Sequence, residues 1–334
     1  MSSLQDVAKL AGVSKSLVSR FINGQPGVSP ASREKIRAAM TQLHYTPNAL
    51  ARSLVLRSTK TIGVVMDSLR EKYFFRLIDG LEAGADKTGY DIIYSHGRSQ
   101  AAHKEKAVRY FMQGRTDGIV LYGSRLEDEP IIRMLADSGF PFVVIENTFP
   151  ELEINNITVD NAQGSAMAVD YLAGLGCRSI FHVSGGSEHQ ASLDRREGYL
   201  AAMKRHGLQA DERTIIPASF DVLESCQAMQ AFLQQCPREN MPDALYCASD
   251  NTAYGAMMAL EEAGYRVPED VKIIGFDDDD PPVGRIFRPL TTLAQPLYQM
   301  GERAVEILCH SIEHPEEGPQ RESFVPLFVE RETT

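Results

Sequence analysis

The sequence predicts a small all-α head followed by an α/β body of two doubly wound parallel-sheet subdomains. At 334 residues the chain is longer than one ordinary hydrophobic core requires. Its first 46 residues place apolar side chains at helical spacing in three short runs. From Thr61 onward, apolar strands alternate with amphipathic helices, which is the pattern of parallel sheets covered by helices on both faces.

Capping residues divide the head into three helices. Ser2 or Ser3 can cap the first helix, Ser14 caps the second, and Ser29 with Pro30 opens the third. The turn between the first two helices contains a glycine. This arrangement describes a helix-turn-helix, although an unrelated three-helix bundle fits the same pattern.

The body supplies strand and helix patterns in alternation. Its predicted strands cover residues 61–66, 91–94, 118–122, 142–146, 180–184, 214–217, 244–248 and 272–276. Its predicted helices include residues 74–88, 162–175, 195–205, 222–235, 252–263 and 300–311. Such sheets bind ligands at the carboxyl ends of their strands, and two of them in one body add a cleft between them.

Charge is distributed unevenly along the chain. Residues 1–60 hold nine Lys and Arg against two acids, a formal charge of +7. Since the whole chain has a formal net charge of −11, residues 61–334 carry −18. This asymmetry indicates a basic module that meets polyanions and is carried by an acidic body. A merely solvated basic face is the alternative at this stage.

Several classes of protein are disfavoured. No run approaches the roughly 18 apolar residues of a transmembrane helix, and the N-terminal MSSLQDVAKLAGVSKS has no apolar core before a cleavage site, so we expect no secretory signal. The five cysteines are odd in number and never spaced as CxxC, which fits a reducing cytoplasm. Neither a GxSxG elbow, a P-loop nor a metal-ligand spacing occurs, so we expect no enzymatic activity and no cofactor.

The exact amino-acid sequence of the head is more informative than its pattern of apolar residues. LQDVAKLAGVSKSLVSRFING, followed by VSPASREKIRAAMTQLHYTPNALARSL, resembles the DNA-binding head of the LacI/GalR repressor family over nearly sixty residues. The resemblance implies that the second helix enters the major groove of operator DNA. Lys15 and Ser16 fall where the family varies its base-reading residues, and Arg20 falls where an arginine contacts bases or phosphates. A solvated lysine is the alternative for Lys15, although Lys, Arg and Ser can all donate to base edges.

The run YTPNALARSL resembles the hinge of the same family, which folds into a short helix only when the dimer sits on DNA. A helix this short is marginal in water, so its coupling to binding is physically reasonable. Leu54 matches the residue that wedges into the minor groove, while core packing is the other explanation for this leucine. The DNA contacts that we expect are Ser14, Lys15, Ser16, Ser19, Arg20, Asn23, Tyr45, Asn48, Ala51 and Leu54.

The body is similar to the periplasmic-binding-protein-like core of the family, through TIGVVMD, YFFRLIDGLE, TDGIVLYGS, ITVDNAQGSAMAVDYLAGLG, RREGYLAAM, PDALYCASDNTAYGAMMAL and VPEDVKIIGFDD. With the head, the resemblance covers about residues 2–330. The effector contacts that it implies are Tyr73, Phe74, Ser124, Glu146, Arg195, Phe220, Ser249, Asp250 and Asp277.

These residue types suit a polyhydroxy ligand, because carboxylates accept pairs of hydroxyl hydrogens and aromatic rings cover a C–H face. Other roles are open: Phe74 also suits plain core packing, and Asp250 or Asp277 also suits a helix cap. Arg195 requires an anionic or polar partner if it is buried. The run of four aspartates that begins at Asp277 is typical of solvated or capping groups, so we expect no metal site.

The sequence thus predicts a cytoplasmic repressor that binds a palindromic operator as a homodimer and responds to a sugar or sugar derivative, with a sugar phosphate or nucleoside as alternatives. We expect a head at 1–46, a hinge at 47–60 and a core at 61–334, with chain crossings near 160, 290 and 322. The tail after Phe328 is too short for the heptad helix that makes tetramers in this family. A transport binding protein would share the body but would need a secretory signal and no helix-turn-helix.

Overall fold

The structure is a computed structural model that describes residues 2–46, 58–69, 72–97 and 100–334. It divides into two compact units, residues 1–60 with 114–116 and residues 61–113 with 117–334, which we call the head and the body. Most of the predicted hinge, residues 47–57, lies outside the described residues.

Three helices form the head: α1 (Leu4–Ala11), α2 (Lys15–Ile22) and α3 (Pro30–Gln42). Ser3 is the residue that caps α1, and its own backbone N–H donates to the Asp6 carboxylate at 2.7 Å, which completes a capping box. Gly12 ends α1 with a φ of 65°, the left-handed conformation that favours glycine. The Ser14 hydroxyl accepts a hydrogen bond from the backbone N–H of Leu17 at 3.2 Å and so begins α2.

One small apolar core holds the three helices of the head together. Helix α2 contributes Val18 and, partly buried, Phe21. Helix α3 contributes Ile36 and, partly buried, Met40, and the partly buried Leu43 follows α3 directly. The buried members of this cluster are Val7, Ala8, Ala11, Val18, Val28, Ile36 and Ala39. In the described part of the head, this apolar cluster packs the three predicted helices against one another.

The first lobe of the body contains a six-stranded parallel sheet in the order β11-β5-β4-β3-β1-β2. Its strands are β1 (Thr61–Met66), β2 (Asp91–His96), β3 (Gly118–Gly123), β4 (Phe142–Glu146), β5 (Asn155–Val159) and β11 (Arg321–Phe324). Its helices are α4 (Tyr73–Thr88), α5 (Ala101–Phe111), α6 (Glu129–Ser138) and α11 (Leu297–Glu313).

The second lobe contains a four-stranded parallel sheet in the order β7-β6-β8-β9. Its strands are β6 (Ile180–Val183), β7 (Ile215–Ile216), β8 (Ala244–Cys247) and β9 (Lys272–Ile274). Its helices are α7 (Asn161–Gly174), α8 (Gln190–Arg205), α9 (Val222–Gln235) and α10 (Asp250–Glu262). The predicted fold class, an all-α head and two doubly wound α/β subdomains, is confirmed.

The chain passes between the lobes at three places: between β5 and α7, at β10 (Thr292–Ala294), and between β11 and β12 (Leu327–Val329). Strands β10 and β12 pair antiparallel and form a small ribbon of their own. The carboxyl ends of strands from both sheets therefore meet between the lobes, where polar side chains that follow a strand can face a shared cleft.

Strand β5 was absent from the predicted strands because it begins with two asparagines. Both are buried, and their amides replace lost water contacts: Asn155 Nδ2 donates to the carbonyl of Phe142 at 3.3 Å and Asn156 Nδ2 to that of Val144 at 3.0 Å. Because β5 begins with two polar residues, its sequence does not show the apolar pattern of an interior strand. Among the described residues, no helix is long and apolar enough to cross a membrane.

Candidate effector pocket and DNA-binding surface

The second helix of the head presents a polar face to solvent. Ser14, Lys15, Ser16 and Arg20 are exposed, whereas Ser19 is half-buried. The hydroxyls of Ser14 and Ser16 lie 2.9 Å apart, so part of their hydrogen-bonding capacity is used locally. Lys15 and Arg20 extend cationic groups from the same helix, whose N-terminal end favours anions. This face is suited to the edges and phosphates of a duplex.

The remaining predicted DNA contacts divide into two groups. Asn23 ends α2, is half-buried, and its Nδ2 donates to the Ser19 hydroxyl at 3.4 Å. Tyr45 is half-buried against the head core. Asn48, Ala51 and Leu54 lie outside the described residues, so the wedge and the hinge helix stay predictions.

A cavity of about 420 Å³ lies between the two lobes of the body. This volume is in the range of small-molecule sites in proteins. The predicted effector residues that line it are Tyr73, Phe74, Ser124, Glu146, Arg195, Phe220, Ser249 and Asp277. Residues that we did not predict also line it: Asp67, Tyr122, Arg125, His189, Ala191, Asp221, Val222, Asn251 and Asp279.

Arg195 is only 3% exposed and is held from several sides. Its Nε donates to Asn161 Oδ1 at 2.8 Å, and its Nη1 lies 3.3 Å from Asp277 Oδ1. Its guanidinium stacks 3.7 Å from the ring centroid of Phe276. The buried cation therefore has the partners that its desolvation requires and presents its remaining donors to the cavity in a fixed orientation.

Asp277 faces Arg195 from the loop that follows β9, and its backbone is strained. Its φ is 116°, in the region that favours glycine. Gln295 Nε2 donates to its Oδ1 at 2.7 Å, and its backbone N–H donates to the carbonyl of Leu293 at 2.8 Å. Burial raises the pKa of the Asp277 carboxyl to about 6, although Arg195 acts in the opposite direction. It does not cap a helix in the described body.

Glu146 ends β4 on the other side of the cavity. It is buried, its φ is 86°, and its Oε1 has no hydrogen-bond partner among the described residues. Burial raises the pKa of its carboxyl to about 7, with Arg195 again opposing the shift. The described non-glycine residues of the body with positive φ are Glu146, Asp277 and Asp278, so backbone strain is concentrated at this pocket.

Aromatic side chains form one wall of the cavity. The rings of Tyr73, Phe74 and Tyr122 meet edge to face, with centroids 5.1 Å apart for the first pair and 5.0 Å for the second. The Tyr122 hydroxyl donates to that of Tyr73 at 3.3 Å. Phe74 belongs both to the buried core and to the lining of the cavity. Its contact with an effector stays a prediction.

Phe220 enters the cavity from the second lobe. Its ring meets His189 edge to face at 5.1 Å. A β-carbon at Gly185 would lie 2.5 Å from this ring, so the position of Phe220 depends on the missing side chain. The absence of a side chain at Gly185 therefore shapes the pocket as much as a contact does.

Asp250 is the predicted effector residue that does not line the cavity. Its carboxylate is fully buried, and it accepts from Thr292 Oγ1 at 2.6 Å and from the backbone N–H of Asp279 at 2.8 Å. It does not cap α10 either, since the Ser249 hydroxyl does so by accepting from Thr252 N–H at 3.1 Å. Asp250 therefore stabilises the loop that carries Asp277, and it lies behind the residues that line the pocket.

The run of four aspartates is used for ion pairs between segments. Asp278 accepts from Arg76 at 3.0 Å and also pairs with Arg331, while Asp277 pairs with Arg195. These contacts tie the loop after β9 to α4 of the first lobe and to the C-terminal segment.

The residues missed at the pocket follow a recognisable rule. Asp67 comes directly after β1, Arg125 follows β3, and Asp221 caps α9 by accepting from the N–H of Leu223 at 2.8 Å. These three residues lie just after strands or at the beginning of a helix, where a systematic search of the sequence would have found them.

Comparison with known proteins agrees with this geometry. The model of bacterial regulatory proteins of the lacI family matches residues 3–48, and that of the periplasmic binding protein-like domain matches residues 169–334. The ribose operon repressor of Haemophilus influenzae is 32% identical over 334 residues, covering 100% of this chain and 98% of that protein. The repressor PurR of Escherichia coli O139:H28 is 34% identical, covering 99% of this chain and 96% of that protein.

Solved structures show the same relation. The lac repressor dimer bound to operator and the anti-inducer ONPF matches with a TM-score of 0.88 and 27% identity, over 100% of this chain and 99% of that chain. The complex of the transcriptional regulator CelR with cellobiose matches with a TM-score of 0.75 and 29% identity over the whole of both chains. The two family matches and the relatives at 32% and 34% identity over nearly the whole chain show that this chain is a DNA-binding regulator of transcription that belongs to the lacI family of bacterial regulatory proteins.

Proposed function

We propose that this protein is a cytoplasmic repressor, dimeric on DNA, whose affinity for its operator is set by a sugar or sugar derivative bound between the lobes of its body. The observation that carries the proposal is the cavity of about 420 Å³ with Arg195 fixed by Asn161 and Asp277 at its wall. It uses no metal or other cofactor and catalyses no reaction.

The sugar assignment rests on the chemistry of the walls. Carboxylates and hydroxyls from both lobes surround aromatic rings, which is a lining suited to a ligand with many hydroxyls and an apolar ring face. Two relatives point the same way by their names, a ribose operon repressor and a regulator in complex with cellobiose. The effector contacts are the eight predicted residues that line the cavity.

DNA binding rests on the exposed face of α2. Two chains joined through their bodies place two such helices on the half-sites of a palindromic operator. Lys15, Ser16 and Arg20 read bases or phosphates, and the hinge with Leu54 completes the contact in the minor groove. The similar lac repressor structure is a dimer on its operator.

Coupling between the sites follows from the two-lobed body. A ligand that touches both lobes stabilises one arrangement of the lobes over another, and this changes the spacing of the two hinges. By linkage, the factor by which effector changes operator affinity equals the factor by which operator changes effector affinity.

The experiment has two stages. Selection from random duplexes identifies the operator, and a thermal-shift screen against sugars, sugar phosphates and nucleobases identifies the effector. Titration of the operator with and without that compound then measures the coupling. A screen in which only nucleobases raise the Tm would contradict the sugar assignment and leave the regulator assignment intact.

A further inference from the structure

A lysine without any solvent exposure lies behind the wall of the pocket. Lys104 belongs to α5 and does not line the cavity. Its Nζ lies 2.5 Å from Asp67 Oδ1 and 2.6 Å from Asp128 Oδ2, and it donates to the carbonyl of Tyr122 at 3.3 Å. Burial of a charge is costly unless it is fully paired, so this arrangement requires an explanation.

The position of Lys104 on its helix is one where an apolar side chain is expected. It shares the buried face of α5 with Ala107, Val108 and Phe111, at helical spacings of three, four and seven residues. The chain also makes room for it, because a β-carbon at Gly97 would lie 2.4 Å from Lys104 Cγ. Lys104 therefore occupies a core position, and the lack of a side chain at Gly97 provides the space for it.

The partners of Lys104 continue into the pocket. Asp67 lines the cavity, and its Oδ2 accepts a hydrogen bond from the hydroxyl of Ser124, which lines the cavity as well. Asp128 Oδ2 also accepts from the backbone N–H of Arg125 at 3.2 Å. One ammonium thus connects the segment after β1, the end of β3 and the beginning of α6.

This network decides what the wall offers to a ligand. The Ser124 proton is committed to Asp67, so the serine oxygen presents lone pairs to the cavity. Lys104 offers one formal positive charge to the two carboxyl groups of Asp67 and Asp128, so the formal charge of the network is −1. A wall of this kind accepts hydrogen bonds from hydroxyl groups and repels anionic groups. His189, from the second lobe, also interacts electrostatically with Asp67 and faces the same wall.

We propose that Lys104 is a positioning residue of the effector pocket, which holds Asp67 and, through it, Ser124 as hydrogen-bond acceptors for an unphosphorylated effector. The inference rests on the proposed function for the location of the effector. It adds a residue outside the cavity and a charge requirement on the ligand.

The first test needs no effector. Lys104→Met removes the charge at similar volume, and Lys106→Met changes an exposed lysine of the same helix as a control. Thermal melting is followed from pH 5 to pH 8. We expect Lys104→Met to lose most stability at pH 8 and to recover as the pH falls, because burial raises the pKa of the Asp128 carboxyl, which then binds a proton in place of the ammonium. A deficit that is equal at every pH would show that Lys104 only fills space and would overturn the proposal.

The second test measures the pocket. Wild type and Lys104→Met are titrated with D-ribose, cellobiose and D-ribose 5-phosphate, and separately with operator. We expect the sugar that binds wild type to bind Lys104→Met at least ten-fold more weakly, with operator affinity unchanged within about two-fold. Unchanged sugar affinity overturns the positioning role. Tighter binding of ribose 5-phosphate than of ribose by wild type overturns the charge requirement and leaves the regulator assignment standing.

Two further outcomes have distinct meanings. If neither sugar nor the phosphate binds wild type, the sugar class of the proposed function fails for these compounds, while the pH profile still decides the role of Lys104. If Lys104→Met does not fold at pH 8, Asp128→Asn in the same chain removes one of the two unpaired carboxylates and restores folding. Full sugar affinity in that double variant would overturn the proposal.

Discussion

Glu146 offers the clearest link between the pocket and stability. Its pKa in the folded protein is about 7 against an ordinary value of 4.5, and the cause is burial. Between pH 4.5 and pH 7, the Glu146 carboxyl is therefore mostly protonated in the folded protein and mostly ionised in the unfolded chain. Stability must fall as the pH rises through this window. From the shift in pKa, the burial of Glu146 lowers the free energy of unfolding by about 3 kcal/mol at pH 8 and by less than about 1 kcal/mol at pH 5.

Glu146→Gln removes this cost while it keeps the size of the side chain. The free protein should gain up to about 3 kcal/mol at pH 8, which corresponds to a Tm rise of roughly 4–8 °C for a body of this size. The gain should shrink to roughly 1–2 °C at pH 5. The same variant should bind effector more weakly, because a carboxylate accepts hydroxyl hydrogens more strongly than an amide does.

Differential scanning calorimetry of effector-free protein at pH 5 and pH 8 measures this directly. Glu153→Gln is the matched control, because Glu153 is an exposed glutamate of the same lobe and its change should leave the Tm unaltered at both values. A Tm for Glu146→Gln that is lower than wild type, or equally raised at both pH values, would refute the account of Glu146 as a buried carboxylate retained for the ligand.

Other predictions concern the remaining parts of the site. Arg195→Ala should abolish the effector response and spare operator binding in an operator titration; loss of both would assign Arg195 a structural role only. Gly185→Ala should weaken effector binding at least ten-fold, as measured by calorimetric titration, because the new β-carbon displaces Phe220. Leu54→Ala should weaken specific operator binding without dissociating the dimer, and unchanged affinity would remove the wedge. His182 is buried with a pKa lowered by burial to about 4, so stability should be lost as the pH falls from 6.5 to 4, and His182→Phe should reduce that loss in acid melting.

Much of the architecture was accessible from the sequence because it rests on local rules. Serine caps and left-handed glycines set the head helices, and alternation of apolar strands with amphipathic helices set both sheets. Glu146 at the end of β4, Asp277 in the loop after β9 and Arg195 of α8 line one cavity, as expected. Strand β5 was not found because Asn155 and Asn156 satisfy their amides inside the sheet, which no local pattern reveals.

The remaining features depend on contacts between distant residues. Asp250 matched a motif at a strand end, but its carboxylate turns to Thr292, 42 residues away, and away from the cavity. Lys104 reads as one more lysine of an amphipathic helix until Asp67 and Asp128 are seen to converge on it. The strain at Glu146 and Asp277 is likewise a property of the folded backbone and of no single residue type.

The most direct test of the central claim is the affinity of the selected operator for wild type, measured by fluorescence anisotropy with and without a saturating concentration of the effector. We expect a change in operator affinity of roughly five- to 150-fold, the usual range of allosteric coupling, and the same factor in effector affinity when operator is present. Equal operator affinity with and without a compound that demonstrably fills the cavity would contradict the claim that this pocket controls DNA binding.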